Sequence, residues 1–432
     1  MGIDNAVDGL RVKVRPVDGV QITGLIGKQR FYWDEGKGTV RGGDISIGLN
    51  QVFPDFMPQD YLIDIGASVV SKYEDSVSTY YRLPPNVLAY SARANLIGPS
   101  FSLGAEYGYK YNDPHESNKY NYNPATGLIV NANYFATGFG ASLNLHRIDN
   151  MDFRSQRSAR QNDLLLNFIP PLVKQQIYRL ATIYPFATQL NGEAGAQLEL
   201  TYKIPRNTLL GGKYGTGITL NGSIVKELDT THTMMDTVRN QPLEYDSEFF
   251  STGDRTYYGD INLEISKRWS RKVKTNFSYI HQSYDRDIVE NMGAPRFGKV
   301  INDIAVAEIY YKFSSRESIK FNLQHMWSSQ DSSFTEPDFS YGNWIVALAE
   351  FTVAPNWYFS VWDEYNYFSE ETESGTFDRS IHYYNASIAY VHKTTRISLA
   401  YGRQREGLLC VGGVCRQVPS SNGFYFSVSS SF

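Results

Sequence analysis

The sequence contains no uninterrupted run of the roughly 18 apolar residues that a membrane-spanning helix requires. Motifs of common enzyme families are also missing, since the GxSxG, HExxH, P-loop and GxGxxG patterns have no match. Cysteine is confined to Cys410 and Cys415, and no nearby histidine completes a metal site with them. The formal net charge of -4 argues against nucleic acid as a partner. These absences predict a protein that is not an enzyme and that carries no cofactor.

Aromatic residues, by contrast, are plentiful: there are 32 Tyr, 24 Phe and 6 Trp. They occur in a chain whose mean hydropathy is only -0.38. Transmembrane β-barrels combine these two properties, because apolar residues occupy alternate strand positions and aromatic residues form girdles at both membrane interfaces. The composition therefore indicates that a membrane crossing by this chain would be made by strands.

Apolar and polar residues alternate in nineteen segments, from Leu10–Val14 to Asn422–Phe432. In Ser318–Ser328 one face carries Ile319, Phe321, Leu323, His325 and Trp327, and the other carries Lys320, Asn322, Gln324 and Met326. Most segments are near the ~9–11 residues of a tilted membrane strand. The pattern predicts an all-β chain in which residues 1–432 form one transmembrane antiparallel up-and-down β-barrel domain, with about 18–20 strands visible. A soluble propeller or sandwich is the alternative.

The connections between these segments alternate in length. Gly98–Ser100 and Ser270–Lys272 are tight, whereas Asn150–Glu193 and Leu228–Arg255 are long. Outer-membrane barrels have short periplasmic turns and long external loops, and bacterial single-chain barrels normally have an even number of strands. Counting back from a last strand that runs down to the periplasm leaves an odd number. We therefore expect a larger barrel, with at least one further strand and a signal peptide upstream of Met1.

The last strand places Phe424, Phe426, Val428 and Phe432 on one face, with Tyr425 and serines on the other. This aromatic carboxy-terminal strand resembles that of bacterial outer-membrane β-barrels, whose assembly machinery reads the terminal strand. The resemblance implies residence in the outer membrane of a Gram-negative bacterium and contact with outer-membrane lipid. It also implies that the four residues act as an assembly signal for that machinery.

Four segments carry a more specific resemblance: Ile3–Asp34, MDFRSQR at Met151–Arg157, LGGKYGT at Leu210–Thr216 and CVGGVCR at Cys410–Arg416. Together they resemble a family of Bacteroidota outer-membrane β-barrel proteins catalogued as a domain of unknown function. Members of that family are longer at the amino terminus, which agrees with the strand count. The resemblance implies location and architecture, and it implies no established activity.

Cys410 and Cys415 flank a Val-Gly-Gly-Val sequence in the last long connection. The glycine pair suits a two-residue type I′ turn, with the valines as the hydrogen-bonded pair. The cysteines then occupy the next, closer pair, which fits a cross-strand disulfide in an oxidising compartment. A reduced pair is the alternative. A disulfide here would stiffen an exposed hairpin, which suggests a protein partner at the external loops.

The segment Asn150–Glu193 is too long for a bare connector and predicts a functional loop. It begins with Arg154, Arg157 and Arg160, continues through an apolar stretch, and predicts a short amphipathic helix around Leu172–Leu180. The apolar content favours burial, either as a plug folded into the lumen or as an external cap on neighbouring loops. As part of a plug, the three arginines would line the constriction.

The polar faces of the strands predict a wet lumen of mixed charge. The candidates that face it are Arg93, Glu106, Lys110, Glu199, Lys203, Glu264, Lys320 and Glu364. Because both signs are present, strong ion selectivity is not implied. Two functions fit: a porin-like channel or transporter of hydrophilic solutes, or a non-conducting structural or partner-binding subunit of an outer-membrane assembly. Occupancy of the lumen by Asn150–Glu193 would distinguish them.

Overall fold

The computed structural model describes residues 6–55, 60–75, 78–160, 163–237, 241–291, 296–330, 342–367, 369–372, 375–378, 380–411 and 414–431. Its strands are β1 Val7–Val14, β2 Val20–Phe31, β3 Asp34–Gly48, β4 Leu62–Tyr73, β5 Asn86–Ile97, β6 Phe101–Lys110, β7 Ala125–Ala136, β8 Phe139–Asp149, β9 Gly192–Ile204, β10 Thr216–Asp236, β11 Gln241–Arg268 and β12 Val273–Asp285. They continue as β13 Lys299–Lys312, β14 Glu317–Gln330, β15 Trp344–Val353, β16 Trp357–Asn366, β17 Ser369–Thr372, β18 Gly375–Asp378, β19 Ile381–His392, β20 Thr395–Gln404, β21 Gly407–Val411, β22 Val414–Val418 and β23 Ser421–Ser430. Helical pieces are short: α1 Leu49–Val52, α2 Arg286–Asn291, and 3-10 turns at Glu116–Asn118 and Leu180–Thr182.

Most of the strands form one up-and-down sheet. Each of β1 to β16 pairs antiparallel with its successive neighbours, and β19, β20 and β23 continue the same order. The hairpins β17–β18 and β21–β22 form two small separate sheets within connections. This confirms the predicted all-β class and antiparallel order, and the main sheet has nineteen strands. In the described part of the chain, no backbone pairing joins β23 to β1.

The exposed face of the sheet is apolar, and its covered face carries many buried polar side chains. In β14, Phe321, Leu323 and Trp327 are 52%, 52% and 49% exposed, whereas Asn322 and Gln324 are 6% and 2% exposed. A soluble barrel shows the opposite arrangement, because apolar side chains leave water on folding. The covered polar face is therefore the inside of the sheet, and the exposed apolar face is its outside.

The two ends of the sheet carry different connections. Tight turns at residues 98–100, 313–316, 354–356 and 393–394 lie at one end, here called the turn end. The opposite end, here called the loop end, carries the long connections, among them residues 150–191 between β8 and β9. The antiparallel order places every second connection at the same end. The difference in length has exceptions, since residues 205–215 at the turn end form a long connection and residues 32–33 at the loop end form a tight one.

The long connection predicted over Leu228–Arg255 is mostly strand, so that prediction is wrong. β10 and β11 continue through it as a paired hairpin, and the last part of β10 is exposed on both faces. In this outer part the two strands pair only with each other. Because both faces of β10 are exposed there, its sequence has no alternation of apolar and polar residues. The hairpin lies against neighbouring connections, since Tyr122 N donates to the carbonyl of Leu243 at 2.7 Å. Tyr245 Oη donates to Asp149 Oδ1 at 2.5 Å.

The amphipathic helix predicted around Leu172–Leu180 is also wrong. The backbone there is irregular, and a 3-10 turn follows it. Its polar side chains contact β11: Lys174 Nζ lies 3.0 Å from Glu264 Oε1, and Gln176 Nε2 donates to Asn262 Oδ1 at 2.8 Å. A helix this short is marginal on its own, so contacts with the sheet decide the conformation.

Candidate functional site in the lumen

Residues 150–191, here called the inserted segment, contact the inner face of β2 and β3 through their first part. Gln29 Nε2 donates to the carbonyl of Leu165 at 2.8 Å. A Cβ placed on Gly38 would lie 1.7 Å from the carbonyl oxygen of Ser155, so the two backbones approach closely. The apolar part of this contact consists of Phe153 and Leu166 packed with Val40 of β3 and with Val87 of β5. Glycine at position 38 is therefore needed for this approach.

The second part of the inserted segment contacts the inner faces of β11 to β15. Gln282 Nε2 donates to the carbonyl of Tyr184 at 3.0 Å, and Leu180 N donates to Gln324 Oε1 at 3.0 Å. The shared apolar core includes Leu172, Tyr178, Ala181, Ile183 and Phe186 from the segment, and Tyr258, Ile280, Tyr284, Ile304, Met326 and Trp344 from the strands. The segment thus bridges inner faces that lie far apart in the strand order.

Arg179 attaches the inserted segment to β16. Its Nη2 lies 2.8 Å from Glu364 Oε2, and its guanidinium lies 3.5 Å from the ring centre of Trp362. Glu364 is almost fully buried and is also 3.9 Å from Arg405 Nε. The buried Glu364 carboxylate therefore pairs with two arginines: Arg179 of the inserted segment and Arg405, which directly follows β20.

A network of buried charges surrounds the start of the inserted segment. Lys72 Nζ lies 2.6 Å from Asp113 Oδ2, and both side chains are fully buried. Lys110 Nζ donates to the carbonyl of Asp152 at 2.5 Å, and Arg154 Nε lies 2.7 Å from Asp152 Oδ1. The network joins β4 and β6 to the β6–β7 connection and to the segment.

Three titratable groups of this network lie outside the strands. Burial alone would raise the pKa of the Asp113 carboxyl, but Lys72, Lys110 and the nearby His115 lower it below its usual value. The pKa of Asp152 is likewise lowered: burial would raise it, but the His115 ring, when protonated, and the Arg154 guanidinium outweigh that effect. Burial lowers the pKa of His115 to about 4, so this ring is neutral at pH 7.

The three arginines predicted for a constriction lie in different environments. Arg154 is buried against Asp152. Arg157 is buried too, and its backbone N donates to Glu74 Oε2 at 2.9 Å. The side chain of Arg160 is 73% exposed and pairs with Glu116. Two of the three are thus engaged with carboxylates in the interior.

The eight predicted lumen residues occupy four kinds of position. Five of them are in ion pairs: Arg93 with Asp44 at 2.7 Å, Glu199 and Glu264 with Lys174 at 3.7 and 3.0 Å, Lys320 with Glu350, and Glu364 with Arg179. Lys110 is fully buried against the inserted segment, and Glu106 stands opposite Arg93 in the β5–β6 register. Lys203 lines an open cavity of about 730 Å³ at the turn end.

Burial of the inner face decreases from the loop end to the turn end. On β12 the inward residues Tyr284, Gln282 and Ser278 are buried, Asn276 is half-buried and Lys274 is exposed. On β14 the inward residues Asn322, Gln324 and Met326 are buried, and Lys320 nearer the turn end is half-buried. The inserted segment therefore covers the loop-end half of the inner face and leaves the turn-end half open.

Sequence reasoning named Lys110, Arg154 and Glu364 but missed other charges that hold the inserted segment in place. Lys72 lies near the loop end of β4 as Lys110 does on β6, and alternation could have revealed that equivalence. Asp113 and Asp152 lie in irregular segments, whose positions no periodicity predicts. The contact of Arg179 with Glu364 could not be predicted for the same reason, since Arg179 lies in the segment that was predicted to be helical.

The predicted assembly signal and cysteine pair lie at the end of the chain. Phe424, Phe426 and Val428 are 77%, 70% and 56% exposed on β23, and Phe432 lies outside the described residues. Cys410 and Cys415 stand directly opposite each other in the β21–β22 register. Their side chains lie outside what the structure describes, so the disulfide stays a prediction.

Within the described ranges, no helix is long and apolar enough to cross a bilayer. The same ranges contain no group of three or more His, Cys, Asp or Glu side chains arranged to hold a metal ion.

Comparisons with known proteins give a family and several structural likenesses. No curated protein matches the chain. Among solved structures, OccK8 (OprE) of Pseudomonas aeruginosa is similar with a TM-score of 0.39 and 10% identity, over 95% of this chain and 97% of that one. OpdK, an outer-membrane protein of the same species, has a TM-score of 0.38 at 10% identity over 95% and 98%. The copper transporter OprC has a TM-score of 0.35 at 12% identity over 96% and 76%. The model of a family of unknown function, DUF6029, matches residues 1–432, and the chain belongs to that family.

Proposed function

We propose that the protein resides in the outer membrane of a Gram-negative bacterium, with the outside of its sheet against lipid. Rows of half-exposed apolar side chains on the outer face support this placement. Trp269, Phe313 and Trp357 are exposed near the turn end, where an aromatic girdle would meet the membrane interface. The turn end then faces the periplasm and the loop end faces outward.

Within that membrane, the protein acts as a porin-like channel for hydrophilic solutes, and the inserted segment is a plug that narrows it. The observation that carries this proposal is that the inner face stays open at the turn end, where a cavity of about 730 Å³ lies. Hydroxyl and charged side chains such as Thr201, Ser266 and Lys203 line that cavity and can solvate a polar solute.

A non-conducting barrel that binds a partner is the second candidate. The close packing at the loop end favours it, since Leu180, Tyr184 and Trp344 have almost no exposed surface. A protein partner would then dock on the external connections, including the β21–β22 hairpin with its cysteine pair. In both candidates the carboxy-terminal strand serves the barrel-assembly machinery, and the role is one of transport or binding rather than catalysis.

Single-channel conductance in planar bilayers separates the two candidates. We would compare the wild type with a variant that lacks Arg154–Leu190, and with Gly38→Ala, which crowds the inserted segment without deleting it. Conductance steps from the wild type support an open channel. Steps only from the variants support a channel that the plug closes. Silence from all three proteins, each verified as a folded barrel by gel migration, would overturn the channel and support partner binding.

A further inference from the structure

The cavity at the turn end is lined by strands β7 to β12, by the turn between β7 and β8, and by the turn before β10. Lys203, Arg268 and Lys274 line it from three different strands. Glu264 is the acidic residue among its lining side chains, and Lys174 of the inserted segment already lies 3.0 Å from it. The cavity therefore carries an excess of positive charge, whereas the whole chain has a net charge of -4.

Two of these cations are forced together by the sheet. Arg268 of β11 and Lys274 of β12 are direct partners in the strand register. Like charges placed directly opposite each other destabilise a sheet. Among the residues that the structure describes, no carboxylate forms an ion pair with Lys203, Arg268 or Lys274. Arg268 and Lys274 therefore repel each other, and a bound anion would reduce this repulsion.

Small residues leave room for such an anion. Gly217 lies between Lys203 of β9 and Ser266 of β11 in the register. A Cβ at Gly217 would meet its nearest neighbours at 3.9 Å, so the space beside the lysine is open. Hydroxyl groups of Thr201, Thr219 and Ser266 line the same cavity and can donate hydrogen bonds to anionic oxygens.

We infer that this cavity is a binding site for a small solute with two or more anionic oxygen groups, either a phosphate compound or a polycarboxylate. Lys203, Arg268 and Lys274 supply the charge, and the neighbouring hydroxyls orient the oxygens. Charge-assisted hydrogen bonds of this kind are roughly twice as strong as neutral ones. This inference rests on the proposed function only in placing the cavity inside a barrel. It does not require the barrel to conduct, because a solute can enter the cavity directly from the turn end.

Titration calorimetry of the full chain in detergent at low ionic strength tests the site, with pyrophosphate and citrate as separate probes. We expect the wild type to bind at least one of them. The triple variant K203Q/R268Q/K274Q should bind it at least about tenfold more weakly. The matched control is K267Q/R271Q/K272Q, which removes three cations from the same rim outside the cavity lining.

A selective loss in the first variant supports the site, and the probe that binds identifies the chemistry. No binding of either probe to the wild type would overturn the inference, as would an equal loss in both triple variants. The outcome is independent of the conductance measurement, because binding is measured without ion flow. Failure of the channel proposal and failure of this site are therefore distinguishable.

Discussion

At the scale of single residues, buried ion pairs hold the inserted segment in place. Lys72 and Asp113 are fully buried, with their charged atoms 2.6 Å apart. Moving charges out of water costs several kcal/mol per ion, so an intact buried pair adds little net stability. Removing one partner is costly, because the remaining charge stays buried. We expect these pairs to determine the position of the segment more than its stability.

Replacing Arg154 by Gln should loosen the first part of the inserted segment. Asp152 would lose a buried partner whose Nε is 2.7 Å away, and breaking a buried pair costs about 3–5 kcal/mol. Leu166 N donates to the carbonyl of Phe153 at 2.7 Å within the segment. Hydrogen exchange of the Leu166 amide therefore reports the free energy of local opening, which we expect to fall.

The matched control for that experiment is Arg160→Gln. Arg160 pairs with Glu116 at the surface, where water replaces the lost contact. We expect unchanged protection of the Leu166 amide in this variant. Equal loss of protection in both variants would contradict a specific role for the buried pair.

Acid should loosen the β6–β7 connection through His115. Burial lowers the pKa of His115 to about 4, so between pH 6.5 and 4 an exposed ring binds a proton that the buried ring does not. The free energy of opening this connection is therefore highest above pH 6.5. It decreases as the pH falls toward 4, by up to about 3 kcal/mol. Asp152, Asp113, Lys110 and Lys72 face the ring and set the remaining electrostatic field.

Hydrogen exchange at several pH values, corrected for intrinsic rates, measures this effect. The amide of Tyr120 is a suitable probe, because it donates to the carbonyl of His115 at 2.8 Å. His115→Gln removes the titrating group, so the pH dependence between 6.5 and 4 should disappear. If it persists in that variant, another group is responsible.

At the scale of elements, the inserted segment is shaped by the strands that it contacts. Its first part lies against β3 where Gly38 has no side chain, and its second part packs on β12 to β15. Where the structure describes this segment, the 3-10 turn Leu180–Thr182 is its only regular secondary structure. Its conformation therefore depends on side-chain packing and on hydrogen bonds to the inner wall.

Gly38→Ala should displace the inserted segment from β3. The added Cβ would lie 1.7 Å from the carbonyl oxygen of Ser155, so one backbone must move, at a cost of about 1–3 kcal/mol. We expect faster tryptic cleavage after Arg154 and Arg157, which are buried in the wild type. Gly24→Ala is the control, since a Cβ there meets no atom within 4 Å. Unchanged cleavage in Gly38→Ala would show that the contact does not hold the segment.

Sequence patterns located the strands of the main sheet well but not their full extent. The segment predicted at Ser318–Ser328 agrees with β14 to within two residues at either end. Alternation is a local property of strands with two different environments, so it can be read along the chain. It disappears in the outer part of the β10–β11 hairpin, where both faces are exposed, and there the prediction failed.

At the scale of the whole molecule, the fold is an inverted sheet with a covered inner face. Apolar side chains cover the outer face, whereas the inner face combines polar side chains with apolar ones, such as Ile280 and Trp344, that pack on the inserted segment. In a membrane this arrangement satisfies backbone groups between strands and leaves lipid to cover the apolar face. In water the same outer face would be a large exposed apolar surface, which soluble monomers avoid.

Electrophoresis without heating tests this architecture directly. A membrane barrel should stay folded in dodecyl sulfate at room temperature, because a high kinetic barrier protects its strand pairing, and should then migrate differently from a heated sample. The heated sample of the same preparation is the control. Identical migration with and without heating would favour a soluble β-fold over the proposed barrel.

The sequence by itself determined the strand class, the antiparallel order and the side of each strand that faces outward, because these depend on period-two alternation and on connection length. Only the tertiary structure decided where the inserted segment lies and which charges meet. Asp113 and Lys72 are joined across two connections, and Arg179 reaches Glu364 from 185 residues away. Such pairs leave no periodic trace in the sequence, since they arise when the sheet brings distant segments to one inner face.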